Sequence, residues 1–482
     1  SNRRILKKKW KSGCGVTGQA GNLRKSNFTK KKIFFTIFLI FTVLIFVGVW
    51  NIISKGYDKQ NTVILFLKEI IPNKISRPIR DTIFIIPDLK ERNKLLKQQL
   101  EKYEQGLEGR LFVEKTIKSK NNKEYLLKEF YLPFLRLDNR LGWQAEEYSL
   151  RAHYLEIVDD KVVAISGSGK TIFFKKKNIF NKSLKQQEIS NNIKEILNQN
   201  SSKLIGIRDL FIDNDQVYIS MQHKDSNGFT INIYRANLNF EKLNFELFFK
   251  TNEYWPKYNV FSGGRIENFK NNKILFSIGF AKNYDAPQDK KSLLGKIISI
   301  DKKSKKYDLI SYGHRNPQGL YYSKYLDLII NTEHGPKGGD EVNFNFLKNN
   351  QISNFGWPIA SYGAPYPGEK HIFEKRGWFR DSHYENGFIE PIKYFTPSIG
   401  ISEIMVLPGD LDFNGKKRLF VSSLRAASLY VIQLNDKLDK ILNEDRIYIP
   451  EHRIRDIDYD KENDVFFLLF EFTPSVGVLK SK

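Results

Sequence analysis

The sequence predicts an all-β fold of the propeller type, on three observations. Short apolar runs of strand length recur from about Phe112 onward, each bounded by a turn signal. Long helical periodicities are missing from the same region. That region spans roughly 370 residues, too many for one sandwich and suited to several four-stranded blades. His153-Tyr-Leu-Glu-Ile-Val158, the turn Asp159-Asp160 and Lys161-Val-Val-Ala-Ile-Ser166 read as one hairpin. Leu210-Phe-Ile212, Asn214-Asp215 and Gln216-Val-Tyr-Ile-Ser220 read as another. Lys273–Ile278, Arg418–Ser422, Ser428–Leu434 and Asp464–Phe470 continue the pattern. The repeat is too degenerate for the blades to be counted from it.

Charge is unevenly placed along the 482 residues, whose formal net charge is +24. Residues 1–32 hold eleven of the 78 Lys/Arg and none of the 54 Asp/Glu. Ile33–Val49 follows as seventeen uncharged, mostly apolar residues, and Trp50–Ile53 extends it towards the ~20 that cross ~30 Å of hydrocarbon. A basic segment before such a run is the positive-inside signature. It predicts a cytoplasmic tail at 1–32, a membrane helix at 33–53 and a large extracytoplasmic, periplasmic domain. Asn51–Asp58 offers no small-x-small site for signal cleavage. The basic excess is thereby accounted for, and no nucleic-acid partner is expected. The single cysteine, Cys14, excludes an intrachain disulfide and a cysteine zinc cluster.

Residues 54–110 read as a connector. Within it Asp88–Gly106 has Leu89, Leu95, Leu96 and Leu100 at roughly helical spacing, with Asp88 as cap and Gly106 as terminator. The propeller is expected over 111–482.

Two polar, glycine-punctuated loops stand out against the strands. The first is Ser311-Tyr-Gly-His-Arg-Asn-Pro-Gln-Gly-Leu320. The second is Asn331-Thr-Glu-His-Gly-Pro-Lys-Gly-Gly-Asp-Glu-Val-Asn343, followed by Asn354-Phe-Gly-Trp-Pro358. Polar groups this dense must hold each other, a metal or a ligand.

Together with Ser262-Gly-Gly-Arg-Ile266, Gln288-Asp289, Leu293-Leu-Gly-Lys-Ile297, Pro397-Ser-Ile399 and Arg453-Ile-Arg-Asp456, these loops resemble the pyrroloquinoline-quinone (PQQ)-dependent glucose/sorbosone (aldose sugar) dehydrogenases, in family order from about Leu204 to Phe470. The resemblance implies six blades, a sugar substrate oxidised at its C1 hydroxyl, and an external electron acceptor. It implies that Arg315 and Asn316 clamp a carboxylate edge of the quinone. It also implies that the main-chain carbonyls of Gly335 and Pro336 bind a Ca²⁺ beside it. Asp340 and Glu341 are oxygen donors in the same loop, for a second Ca²⁺ or for the loop backbone and Lys337. His314 and His334 fall within the motifs but not at the family's base. The expectation for His314 is a structural hydrogen bond to the loop backbone, and for His334 both roles stay open.

The resemblance fails on the substrate side. The family's general base is a His four residues before the Arg of Gly-Gly-Arg, and Phe261 occupies that position. Phe280 stands where the family has the Asp of a Thr-x-Gly-Asp turn, and a family Gln has no counterpart between Ser201 and Asp209. Loss of a general base costs ~10²–10⁴ in rate. Tyr258 and Asp285, with Tyr254, are the substitutes nearest in sequence. The alternative is a catalytically degenerate propeller that binds a carbohydrate or a protein at the envelope.

Overall fold

The computed structural model describes residues 108–137, 145–347 and 351–482. The tail at 1–32, the membrane helix expected at 33–53 and nearly all of the 54–110 connector, with its expected helix, lie outside them. Among the described residues no helix is long and apolar enough to cross a membrane.

Six antiparallel sheets follow one another along the chain. Blade I is built on His153–Val158, Lys161–Ser166, Thr171–Lys175 and Gln187–Asn191. Blade II is Lys203–Asp213, Gln216–Asp225, Gly228–Asn237 and Glu246–Lys250. Blade III is Gly263–Phe269, Lys273–Ile278, Lys296–Asp301 and Tyr307–Tyr312, and blade IV is Pro317–Ser323, Leu328–Glu333, Asp340–Phe346 and Lys393–Phe395. Blade V is Ile401–Met405, Arg418–Ser423, Ser428–Leu434 and Ile441–Tyr448. Blade VI combines Arg453–Asp460, Val465–Glu471 and Ser475–Ser481 with Glu124–Tyr131, and Glu108–Lys118 pairs beyond it. The first strand thus begins three residues before the expected boundary.

The first strand of each blade touches the first strand of the next, and Arg453–Asp460 touches His153–Val158, so the inner strands close a ring around a central channel. The predicted turns lie where the hairpins need them. Asp159 (φ 51°), Asn214 (φ 53°) and Asp464 (φ 52°) take the left-handed conformation that tight hairpins demand and Asn/Asp tolerate.

Strand alternation sends one face of each blade against the neighbouring blade, so the core is six slabs and not one centre. Ile165, Ile207 and Val217 lie in the slab between blades I and II; Ile231, Ile274 and Ile298 lie between II and III. Phe130, Val162, Phe174 and Phe467 fill the slab between blades VI and I. Blade I and the closing blade are thereby locked by apolar burial as well as by strand pairing.

Candidate functional site

At the entry ends of the inner strands lies a cleft of about 500 Å³. Its lining includes Arg208, Tyr258, Phe261, Arg315, Asn316, Gln318, His334, Gly335, Pro336, Arg425, Arg453, Arg455 and Glu471. Both expected cofactor residues and both expected carbonyl donors are therefore in one place, together with Phe261 and Tyr258. Asp285 is not. It is exposed, ion-paired with Arg376, and lines a separate surface hollow with Tyr254. Proximity in sequence to the missing base does not become proximity in space there, because Asp285 lies in the other hollow beside Arg376.

Arg315 is held from both sides. Its backbone N–H donates to Glu333 Oε2 (2.8 Å) and its Nη1 donates to the His334 carbonyl (2.8 Å). Around the guanidinium stand Phe261 (4.7 Å to the ring centroid), Trp357 (5.2 Å) and Phe280 (5.6 Å). Phe261 and Phe280 are thus walls of an aromatic cage for a cation. Arg315 Nε is buried without a hydrogen-bond partner, and burial lowers the affinity of the group for its proton. Asn316 spends its oxygen on Gly263 N–H (3.2 Å) and Gln318 (3.3 Å), which leaves its amide N–H groups for a ligand.

His314 has the expected structural role with different partners. It is fully buried, bonded to Ser311 Oγ (2.7 Å) and Glu333 Oε1 (3.2 Å), and stacked on Phe355 (4.6 Å). His334 borders the cleft, and its Nδ1 lies 3.8 Å from Asp340 Oδ1.

The loop after it turns on glycines: a Cβ at Gly335 would stand 2.1 Å from the Gly339 carbonyl oxygen. Asp340 is bonded to the loop backbone and to Ser398, and no bond to Lys337 is found among the described residues. Oδ1 accepts from Gly335 N–H (3.0 Å), and Oδ2 accepts from Ser398 Oγ (2.6 Å) and Ile401 N–H (3.0 Å). Burial opposes its charge, but His334, Ser398 and Ile401 outweigh that and hold the carboxyl below its usual range. Glu341 is likewise engaged, by His383 (3.3 Å) and Asn343 (3.2 Å). Both acids thus act as loop and strand ties. By contrast, the Gly335 and Pro336 carbonyls accept no hydrogen bond from the described residues and border the cleft. They fit a hard cation, which takes main-chain oxygens.

Four arginines in the cleft had no role assigned from the sequence, although Arg453 and Arg455 lie in the Arg453-Ile-Arg-Asp456 motif. Arg453 Nε (2.5 Å) and Arg455 Nη2 both pair with Glu471. Burial opposes the charge of Glu471, and Arg455 and Arg453 outweigh it, pulling its carboxyl down to about 2. Arg455 Nε remains buried without a partner. Tyr148, whose phenol is pushed up to about 12 by burial and by Glu471, closes this side as a donor. The only available signal was the Arg-x-Arg spacing at 453–455, which puts alternate strand residues on one face. Arg208 and Arg425 gave none. The cleft thus presents five guanidiniums and one carboxylate. Buried donors without acceptors, in such a field, fit a flat polycarboxylate.

The profile of the family described as Glucose / Sorbosone dehydrogenase matches residues 170–471. The chain belongs to the glucose/sorbosone dehydrogenase family. An uncharacterized protein of Synechocystis is 26% identical over 289 residues, 55% of this chain and 66% of that one. The aldose sugar dehydrogenase YliI of Escherichia coli is 28% identical over 209 residues, 40% of this chain and 53% of the relative. The chain therefore matches two thirds or less of the length of these curated relatives. The soluble aldose sugar dehydrogenase crystal structure from E. coli superposes with a TM-score of 0.54 at 20% identity, covering 69% of this chain and 97% of that one. The PQQ-bound aldose sugar dehydrogenase of Streptomyces coelicolor gives 0.50 at 18%, with coverages of 74% and 98%. These superpositions establish the six-bladed fold of the family.

Proposed function

We propose that this family member is a PQQ-dependent sugar dehydrogenase, anchored by residues 33–53 with its propeller on the periplasmic side and an external electron acceptor. One observation carries the reading: five guanidiniums share one carboxylate in a single cleft, and Arg315 Nε and Arg455 Nε are buried there without acceptors. Arg315 and the Asn316 amide would hold the quinone's carboxylates, and the Gly335 and Pro336 carbonyls would hold Ca²⁺. The chemistry supplied by the bound pair is acceptance of hydride from a sugar's C1–H, with the cation polarising the quinone carbonyl. The chain must itself take the proton of the C1 hydroxyl. Phe261 cannot, Asp285 is outside the cleft, and Tyr148 and Glu471 are committed to each other and to arginines, so Tyr258, His334 and Tyr366 are the remaining acceptors. Tyr258 Oη is 3.3 Å from Ser149 Oγ, which orients it at the cleft wall.

The second reading, a degenerate propeller that binds without turnover, is favoured by Phe261. The full-length protein, purified in mild detergent, separates the two. PQQ is titrated with Ca²⁺ by absorbance, and aldose-dependent dye reduction is then assayed. Saturable quinone binding with turnover, abolished in Tyr258→Phe, His334→Gln or Tyr366→Phe, supports the dehydrogenase. Binding without turnover supports the degenerate propeller, and no quinone binding sinks both as quinone proteins.

A further inference from the structure

Arg208 is the least explained charge in the cleft. Its acceptor among the described residues is neutral: Nε (2.9 Å) and Nη2 both donate to Gln222 Oε1. Gln222 is itself fully buried and fixed, its Nε2 donating to the Asn259 carbonyl (3.2 Å) while its oxygen also accepts from Ser262 Oγ (3.3 Å). The guanidinium is therefore oriented without being neutralised. The stem has a built passage as well. A Cβ on Gly264 (φ 122°) would come within 2.4 Å of Arg208 Cβ, so the glycine directly before Arg265 is what leaves room for this side chain.

Its position gives it a task. Arg208 borders the cleft with Tyr258 and Phe261, the latter at the position where the family resemblance expects a polar base. A neutral sugar finds fewer hydrogen-bond partners there, whereas a carboxylate finds an oriented, unmatched guanidinium. The charge count agrees. Counted with the Ca²⁺ proposed beside it, a tricarboxylate quinone leaves three positive charges of the cleft unanswered.

We infer that the sugar accepted by this cleft is acidic, a uronic acid whose carboxylate is clamped by Arg208. The inference rests on the sugar-binding part of the function proposed above and names its substrate class. A charge-assisted contact of this kind favours the charged ligand about tenfold to a hundredfold over the neutral one.

Calorimetric titration of D-glucuronate and D-glucose into the full-length protein tests it, quinone-free and after loading with PQQ and Ca²⁺. The expected result is glucuronate binding at least about tenfold tighter than glucose, with the margin shrinking as salt is raised. Arg208→Gln should erase the margin without weakening glucose, and Arg208→Lys should retain part of it. Thermal midpoints of both variants identify a folding failure, in which case the wild-type margin and its salt dependence decide. Equal affinities, or a margin that survives in folded Arg208→Gln, overturn the inference, as does binding of neither sugar in either form. Arg208→Gln weakening quinone but not glucuronate also overturns it, by assigning Arg208 to the cofactor. Failure of quinone to bind overturns the proposed redox function alone, because the quinone-free titration still reads the sugar preference.

Discussion

The two ends of the central channel carry opposite charge on the same inner strands. At the entry end, five guanidiniums share Glu471. A few residues further along, a cavity of about 260 Å³ is lined by Glu156, Asp209, Glu267, Glu403, Asp456 and Asp458 around the single cation Arg265. Most of the acidic end is spent internally. Arg265 pairs with Asp209 (2.6 Å), Glu403 (2.7 Å) and Asp456 (3.0 Å). Asp209 also accepts from Ile266 N–H (2.7 Å), and Asp456 from Leu155 N–H (2.8 Å), which ties neighbouring blades together. The cationic end is not spent: Arg208 and Arg315 face amide and carbonyl oxygens but no carboxylate. Charges matched within the chain hold the ring, and unmatched ones wait for a ligand.

The sharpest way to break that contrast is to remove one cation from each end. Arg265→Met strands three buried carboxylates and should cost about 3–5 kcal/mol of stability by denaturant titration. A loss below about 1 kcal/mol would show that the acidic end is not a structural clasp. Arg315→Gln should do the reverse, weakening quinone binding about tenfold to a hundredfold while leaving the thermal midpoint unchanged or raised. A large destabilisation would place Arg315 with the structural charges. Calcium comes next. At tenfold excess over its dissociation constant it should add about 1.4 kcal/mol to the folded form, read as a raised midpoint. Asp340→Asn should lower the baseline stability yet keep the Ca²⁺ increment, since that carboxylate is engaged by Gly335, Ser398 and Ile401. Loss of the increment would return Asp340 to the metal.

The smallest effect per group is one of pH. Burial pushes Asp209 and Asp458 up to about 7 and Glu267 up to about 8, from ordinary values near 4. Across that interval the folded chain retains protons that the unfolded chain has lost, so stability falls as pH rises from about 5 to 8. Glu156 and Glu403, also raised by burial, act in the same sense. Glu267 and Asp458 are partly open to the channel, and water screening keeps each contribution small. Glu267→Gln should flatten the decline in thermal midpoint, and an unchanged slope would remove it from the cause.

Much of this arrangement was legible in the residues. The strand runs at 153–166, 210–220 and 428–434 and the turns at Asp159 and Asn214 are local properties, and they stand where expected. Arg315, Asn316, Gly335 and Pro336 line one cleft because their motifs fix short loops at blade ends. What escaped depends on ring closure. Arg208, Arg425 and Glu471 lie on separate blades, and only the curvature of the whole sheet series brings them to one cleft. Asp285 failed for the same reason in reverse. The open question at Asp340 needed its partners Ser398 and Ile401, some sixty residues on. The six carboxylates of the opposite mouth come from blades I, II, III, V and VI, and no window of sequence contains them together.

Blade VI sets a condition on biosynthesis. Glu124–Tyr131 pairs on one edge with Glu108–Lys118 and on the other with Ser475–Ser481, with Tyr125 opposite Ser481 and Tyr131 opposite Ser475. Until that distant strand has been made, the early hairpin and blade I wait with unsatisfied edges, the surfaces most prone to pair with other chains. A nascent chain must therefore be kept from its neighbours through almost the whole of elongation, and a truncation that removes 475–481 should yield aggregates rather than a five-bladed remnant.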